Sequence, residues 1–134
     1  MSKEEEKRKA LDALKKVIEE HIDVHDAFMC QLGSICLLYG KVGDLEKGFK
    51  GGSGVCHIIA KRDLEHKLNP EKFHLTGQQL VVKLMDVIVY GSISKIIKSK
   101  QTVHLTKDGY EAVISQNWNG DSVNWLLTGY KVVE

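Results

Sequence analysis

Residues 104–130 read HLTKDGYEAVISQNWNGDSVNWLLTGY, and how this stretch is read decides the fold. Apolar and polar residues alternate with a period of two, the mark of strands with one buried face. Asp108-Gly109 and Asn119-Gly120 interrupt the alternation, and both pairs tolerate the left-handed backbone that two-residue hairpin turns require. If both are such turns, the register follows. Leu105 faces Ala112, Ala112 faces Leu127, and Ile114 faces Trp125, which with Val103 make one apolar face. In the same register Glu111 faces Thr128 and Ser115 faces Asn124. The opposite face then collects His104, Thr106, Glu111, Ser115, Asn117, Thr128 and Tyr130. A merely solvated face would carry long lysines and glutamates. Short hydroxyls, an amide, an imidazole and a phenol suit recognition better.

Working back toward the N-terminus, SISKIIKSK (residues 92–100) reads as a further strand. Before it, TGQQLVVKLMDVIVYG (residues 76–91) reads as a helix, with a Thr76/Gln79 capping box, an apolar stripe of Leu80, Leu84, Val87 and Ile88, and Gly91 as its stop. A second helix is expected from Gly54 to Leu68, ahead of Pro70. SICLLYG (residues 34–40) reads as a short strand or buried segment, and residues 2–29 as one amphipathic helix with a Ser2/Glu5 cap. His21 and His25 then lie one helical turn apart, and are read as exposed helix residues, not metal ligands. Together these give one α+β domain over residues 1–134, with an N-terminal helix in residues 1–30. Its helices pack on one face of a four-stranded antiparallel C-terminal sheet.

The chain has 134 residues, 43% hydrophobic and 28% charged, with a formal net charge of +1. These values suit a soluble domain, and a nucleic-acid partner would need a local basic patch. Lys95, Lys98, Lys100 and Lys107 can form such a rim. The three cysteines, without a C-x-x-C pair, imply free thiols in a reducing cytosol. The charged stretch MSKEEEKRKA lacks the apolar core of a secretory signal, and no apolar run is long enough to span a bilayer, so a cytoplasmic, membrane-free protein is expected.

GGSGVCHIIAKR (residues 51–62) is the other informative stretch. Gly52, Ser53 and Gly54 lead into a helix start, where unpaired N–H groups and the dipole can hold an anion. His57 sits in the early turns, and an imidazole there can accept a proton near neutral pH. Lys61, one turn on, can meet a phosphate, whereas Arg62 lies on another side beside Val55, Ile58 and Ile59.

The combination of GGSGVCHIIAKR, an apolar helix ending in glycine, KDGYEAVI and WLLTGY resembles the barnase–EndoU–colicin–RelE group of small nucleases, in its phage and polymorphic-toxin versions. The resemblance covers residues 48–131. It implies a bacterial or phage-borne, metal-independent, cofactor-free endoribonuclease that acts on RNA, with tRNA a candidate. A toxin of this kind implies action in the cytosol after delivery and a cognate immunity protein or antitoxin. It points to His57 as the catalytic histidine and to Thr128, Gly129 and Tyr130 as the C-terminal motif. It departs at Glu111, where relatives often carry a basic residue. The expected catalytic set is His57, Lys61, Glu111, Thr128 and Tyr130. Gly52, Ser53, Gly54, Arg62, His104, Ser115, Asn117 and Lys131 are the expected substrate-binding residues. The rival readings are a non-catalytic RNA- or protein-binding domain and a nucleotide-utilising transferase. The latter lacks a dinucleotide signature.

Overall fold

The computed structural model describes residues 2–132. Helix α1 (Lys3–Glu20) begins at Ser2, whose hydroxyl accepts the Glu5 N–H at 3.1 Å. It stops at His21, which turns left-handed with φ 55°. Residues Val24–Cys30 form strand β1, which corrects the reading of residues 2–29 as a single helix. Ile18, Ile22 and Val24 carry the helical spacing across the break, so periodicity alone cannot find it. Pairing makes the break. β1 runs antiparallel to β2 (Gly33–Leu37), and buried Glu6 of α1 accepts the Met29 N–H at 2.7 Å.

The chain continues through α2 (Gly54–Leu68), α3 (Gly77–Tyr90), β3 (Ser92–Ile97), β4 (Thr102–Lys107), β5 (Tyr110–Ser115) and β6 (Asn124–Lys131). The expected capping box is formed, with Thr76 Oγ1 accepting the Gln79 N–H at 3.2 Å and Gln79 Oε1 accepting the Thr76 N–H at 2.9 Å. The strands form one six-stranded mixed sheet in the order β1-β2-β6-β5-β4-β3. This replaces the expected four-stranded antiparallel sheet. The two strands ahead of α2 join it, and β2 lies parallel to β6 at Ile35–Asn124 and Cys36–Trp125.

One core holds Leu14 and Val17 of α1, Ile58 of α2, Leu84 and Ile88 of α3, and Leu105, Ala112, Ile114 and Leu126 of the sheet. Gly129 lets α3 approach β6, since a Cβ there would lie 2.2 Å from Leu84 Cδ1. Gly129→Ala is expected to cost about 1–3 kcal/mol through overpacking. The check is a lower urea midpoint at unchanged slope.

Asp86 ties α3 to α1 and β4. It accepts from Lys107 at 2.6 Å, Lys7 at 3.1 Å and Lys83 at 3.4 Å. Burial pushes its carboxyl up, but the Lys107 and Lys7 ammonium groups outweigh burial and hold it at about 2, below the ordinary 3.8. This stabilisation is therefore complete above pH 3.8 and is lost as pH falls through about 2. Melting temperatures of the protein and of Asp86→Asn should differ at pH 6 and converge toward pH 2. Lys107 is thereby committed to Asp86 and Asp108, and does not contribute to a free basic rim.

The first hairpin matches its expected register, with Asp108 and Gly109 left-handed at φ 54° and 80° and Leu105 opposite Ala112. The second does not. Asn119 and Gly120 do form the two-residue turn, at φ 53° and 88°, closed by a Trp118–Asp121 bridge. Beyond it the pairing slips, and it shifts again between Val113 and Ile114. Ile114 therefore faces Leu126, Ala112 faces Gly129, Ser115 faces Trp125, and Glu111 faces Tyr130. Trp125 leaves the main core for the second face of the sheet, where it packs with Cys36 and Leu38.

Candidate active site

The second face carries a connected set of polar side chains. β4 supplies His104, β5 supplies Glu111, and β6 supplies Tyr130. The shifted register brings Tyr130 opposite Glu111, and the tyrosine hydroxyl donates to Glu111 Oε2. The same oxygen lies 2.9 Å from His104 Nδ1. Ser94, at the irregularity in the β3–β4 pairing, donates to Glu111 Oε1 at 3.1 Å. Lys95, exposed on β3, pairs with His104 in the ladder.

Burial pushes the Glu111 carboxyl up, but hydrogen bonds from Tyr130, His104 and Ser94 outweigh it and hold it below the usual range. Burial and the adjoining carboxylate push Tyr130 up to about 12, so it stays a donor. Glu111 is thus ionised at neutral pH and can only accept. It follows that His104 Nδ1 carries a proton in this pair, and Nε2 is the ring nitrogen left to exchange one. Among the described residues, Thr102 Oγ1 is the one fully solvent-excluded side-chain polar atom without a partner, so the unpartnered Nε2 of His104, a buried residue, is not wholly cut off from solvent.

Arg62 joins the set from α2. Its Nε donates to Gly129 O at 2.9 Å, its Nη1 to Glu65 at 2.6 Å, and its guanidinium carbon stands 5.8 Å from the Tyr130 ring centroid. Arg62 is thus the cation held against the C-terminal motif. Lys61 is half-buried on α2 and forms no ion pair among the described residues. Thr128 stands on the same face opposite Val113. Lys131 donates to Lys72 O at 2.8 Å. Ser115 and Asn117 bond to one another, Ser115 Oγ to Asn117 O at 2.9 Å and Asn117 N–H to Ser115 Oγ at 3.3 Å.

His57 lies apart from this set. Its Nδ1 is 2.9 Å from Val42 O, and Phe49 meets the ring edge-on at 6.1 Å between centroids. A carbonyl only accepts, so His57 Nδ1 also carries a proton, and its Nε2 is likewise the ring nitrogen left to exchange one. Among the described residues no hydrogen bond joins His57 to the Glu111 cluster. Two anchors fix how α2 runs. The Val55 and Cys56 N–H groups donate to Leu38 O and Tyr39 O at 3.0 and 2.9 Å, and Arg62 holds Gly129 O. Helix rise puts His57 about 7.5 Å before Arg62 along α2.

The expected anion cradle is corrected by the same bonds. The N–H groups of Gly52, Ser53, Val55 and Cys56 all donate to backbone carbonyls, of Phe49, Lys41, Leu38 and Tyr39. They are spent on closing the loop over α2 and are not free for a phosphate. The glycines serve packing instead. Gly54 adopts φ 81° against Leu38 O, and a Cβ at Gly52 would lie 2.1 Å from His57 Nδ1. His21 and His25 share no helix, since His21 caps α1 and His25 lies on β1. Ser94 was not among the residues expected from sequence, because its placement depends on the irregularity in β3.

A carboxylate that orients an imidazole on the open face of a small α+β sheet is an arrangement suited to moving protons during bond cleavage. A family model described as phage-Barnase-EndoU-ColicinE5/D-RelE like nuclease1 matches residues 26–134, and the chain belongs to this nuclease family. The match takes in β1 and β2 as well as the narrower span of 48–131 in which the sequence motifs lie. No curated protein and no solved structure matches the chain. Among the described residues no helix is long and apolar enough to cross a membrane.

Proposed function

We propose that this nuclease is a metal-independent endoribonuclease that cleaves RNA through the 2′-hydroxyl. The carrying observation is the Tyr130–Glu111–His104 chain, with an imidazole nitrogen that has no protein partner among the described residues at its end. His104 Nε2 removes the 2′-OH proton. The oxygen attacks phosphorus, the bond from phosphorus to the 5′-oxygen breaks, and a second proton carrier protonates that oxygen. The products are a 2′,3′-cyclic phosphate and a 5′-hydroxyl. His57, donating from Nε2 in its doubly protonated form, is the second carrier in this reading, reached past the part of β6 beyond Trp125 that β2 does not pair and to which Arg62 of α2 bonds. Thr128, Lys61 and Lys95 supply the hydroxyl and charges that meet the phosphate, while Arg62 fixes Tyr130 and the β6 backbone. Glu111 is a positioning residue, not the base, because three donors already occupy it.

The protein acts in the cytosol in this reading, as a toxin-type nuclease whose producer needs an immunity protein or antitoxin. Total RNA incubated with the protein in EDTA should yield fragments with 2′,3′-cyclic phosphate ends. Intact RNA that still binds would mark a non-catalytic RNA-binding domain instead. Growth arrest on cytosolic expression, relieved by His104→Ala, would support the toxin role.

A further inference from the structure

A groove of about 310 Å³ opens where the second face of the sheet meets α1 and the glycine loop. Tyr39, Trp118, Trp125 and His21 supply its aromatic walls, with Lys41 and Ser53 at one side. His21 stacks on Tyr39 with 4.6 Å between centroids and 21° between planes. Trp125 is fixed by its Nε1 donating to Asn117 O at 2.9 Å. Trp118 is half-buried, with His25 tilted against it at 5.8 Å. Lys41 is exposed, and Ser53 makes no side-chain cap bond to α2, which leaves its hydroxyl for a ligand. The groove's one carboxylate, Asp23, is engaged with the Tyr39 N–H at 2.8 Å.

We infer that this groove binds an unpaired nucleotide of the RNA substrate, its base against Trp118 and the His21–Tyr39 stack and its phosphate toward Lys41. The inference rests on the ribonuclease reading and adds a subsite to it. Aromatic faces beside a cation hold single-stranded bases by stacking with little dependence on sequence. The groove is also continuous with the proposed catalytic face. Trp125 pairs with Ser115, and Ser115 and Glu111 lie on the same side of β5. Four residue steps of strand separate them by about 13 Å, a span that a few nucleotides of single strand can bridge. A duplex cannot offer its base faces to the groove, so unpaired RNA is selected.

The protein's two tryptophans both line the groove, so tryptophan fluorescence, excited selectively over tyrosine, reports on that place. The probe is a short single-stranded 2′-O-methyl oligonucleotide, which has no 2′-OH to cleave. Saturable quenching is expected with the single strand and not with its duplex. Trp118→Leu should weaken binding of a labelled strand about tenfold. Lys41→Ala, at an exposed position that folding does not need, should weaken it and flatten its salt dependence. Binding without quenching, no binding at all, or unchanged affinity in both variants would overturn the subsite. Cleavage of RNA in EDTA is the separate arm. Cleavage with an inert groove sinks the subsite alone, whereas quenching without cleavage sinks the ribonuclease reading and keeps the groove.

Discussion

His104→Ala is expected to lower kcat for RNA cleavage by about 10²–10⁴-fold, the usual worth of one positioned proton carrier. The fold should survive, since His104 contributes one hydrogen bond at the sheet's second face and no part of the main core. Glu111→Gln should fall on the same scale for a different reason. A glutamine amide can donate to His104 Nδ1, which would move the ring proton to Nε2 and remove the base. The glutamine also leaves Tyr130 and Ser94 with a weaker acceptor. The measurement is single-turnover cleavage of a labelled RNA, with far-UV dichroism to confirm folding. Near-native rates in both variants would remove this cluster from the chemistry.

Gly52→Ala is expected to cost nearly as much activity as His57→Ala, although residue 52 carries no reactive group. The added methyl would lie 2.1 Å from His57 Nδ1 and 2.3 Å from Val42 O, so the imidazole must leave the carbonyl that fixes its proton. With both proton carriers needed, each variant should lose about 10²-fold or more. Gly48→Ala is the control, because a Cβ there meets nothing within 4 Å and the position is equally part of the loop. It should keep full activity, with the strain of an alanine at φ 64° appearing as a lower melting temperature and not as a lower rate. If Gly52→Ala cleaves normally, the placement of His57 does not matter to the reaction.

The candidate site was legible in outline because strand parity is robust. His104, Glu111, Thr128 and Tyr130 share a face in the expected register and in the observed one. Which of them touch was not legible. The second hairpin has the expected two-residue turn, yet the slip beyond it and the irregularity near Leu127 leave no mark in the residue types. Those shifts trade Thr128 for Tyr130 opposite Glu111 and send Trp125 to the other face. Helices with an explicit stop or cap, at Gly54–Leu68 and Gly77–Tyr90, were readable to their ends. α1 has no glycine or proline at its end, and so its boundary was not. The glycine stretch carried a true signal, a close backbone approach, but sequence alone does not tell approach to a ligand from approach to Leu38 and His57.

In the proposed reaction this face cleaves RNA by using the substrate's own 2′-hydroxyl. The direct measurement is cleavage in EDTA of an oligoribonucleotide cut at a mapped phosphodiester, beside the same strand with one 2′-deoxy residue at that position. Complete protection is expected at the substituted bond, with neighbouring sites unaffected. Cleavage of the substituted bond at the rate of the parent strand would contradict it.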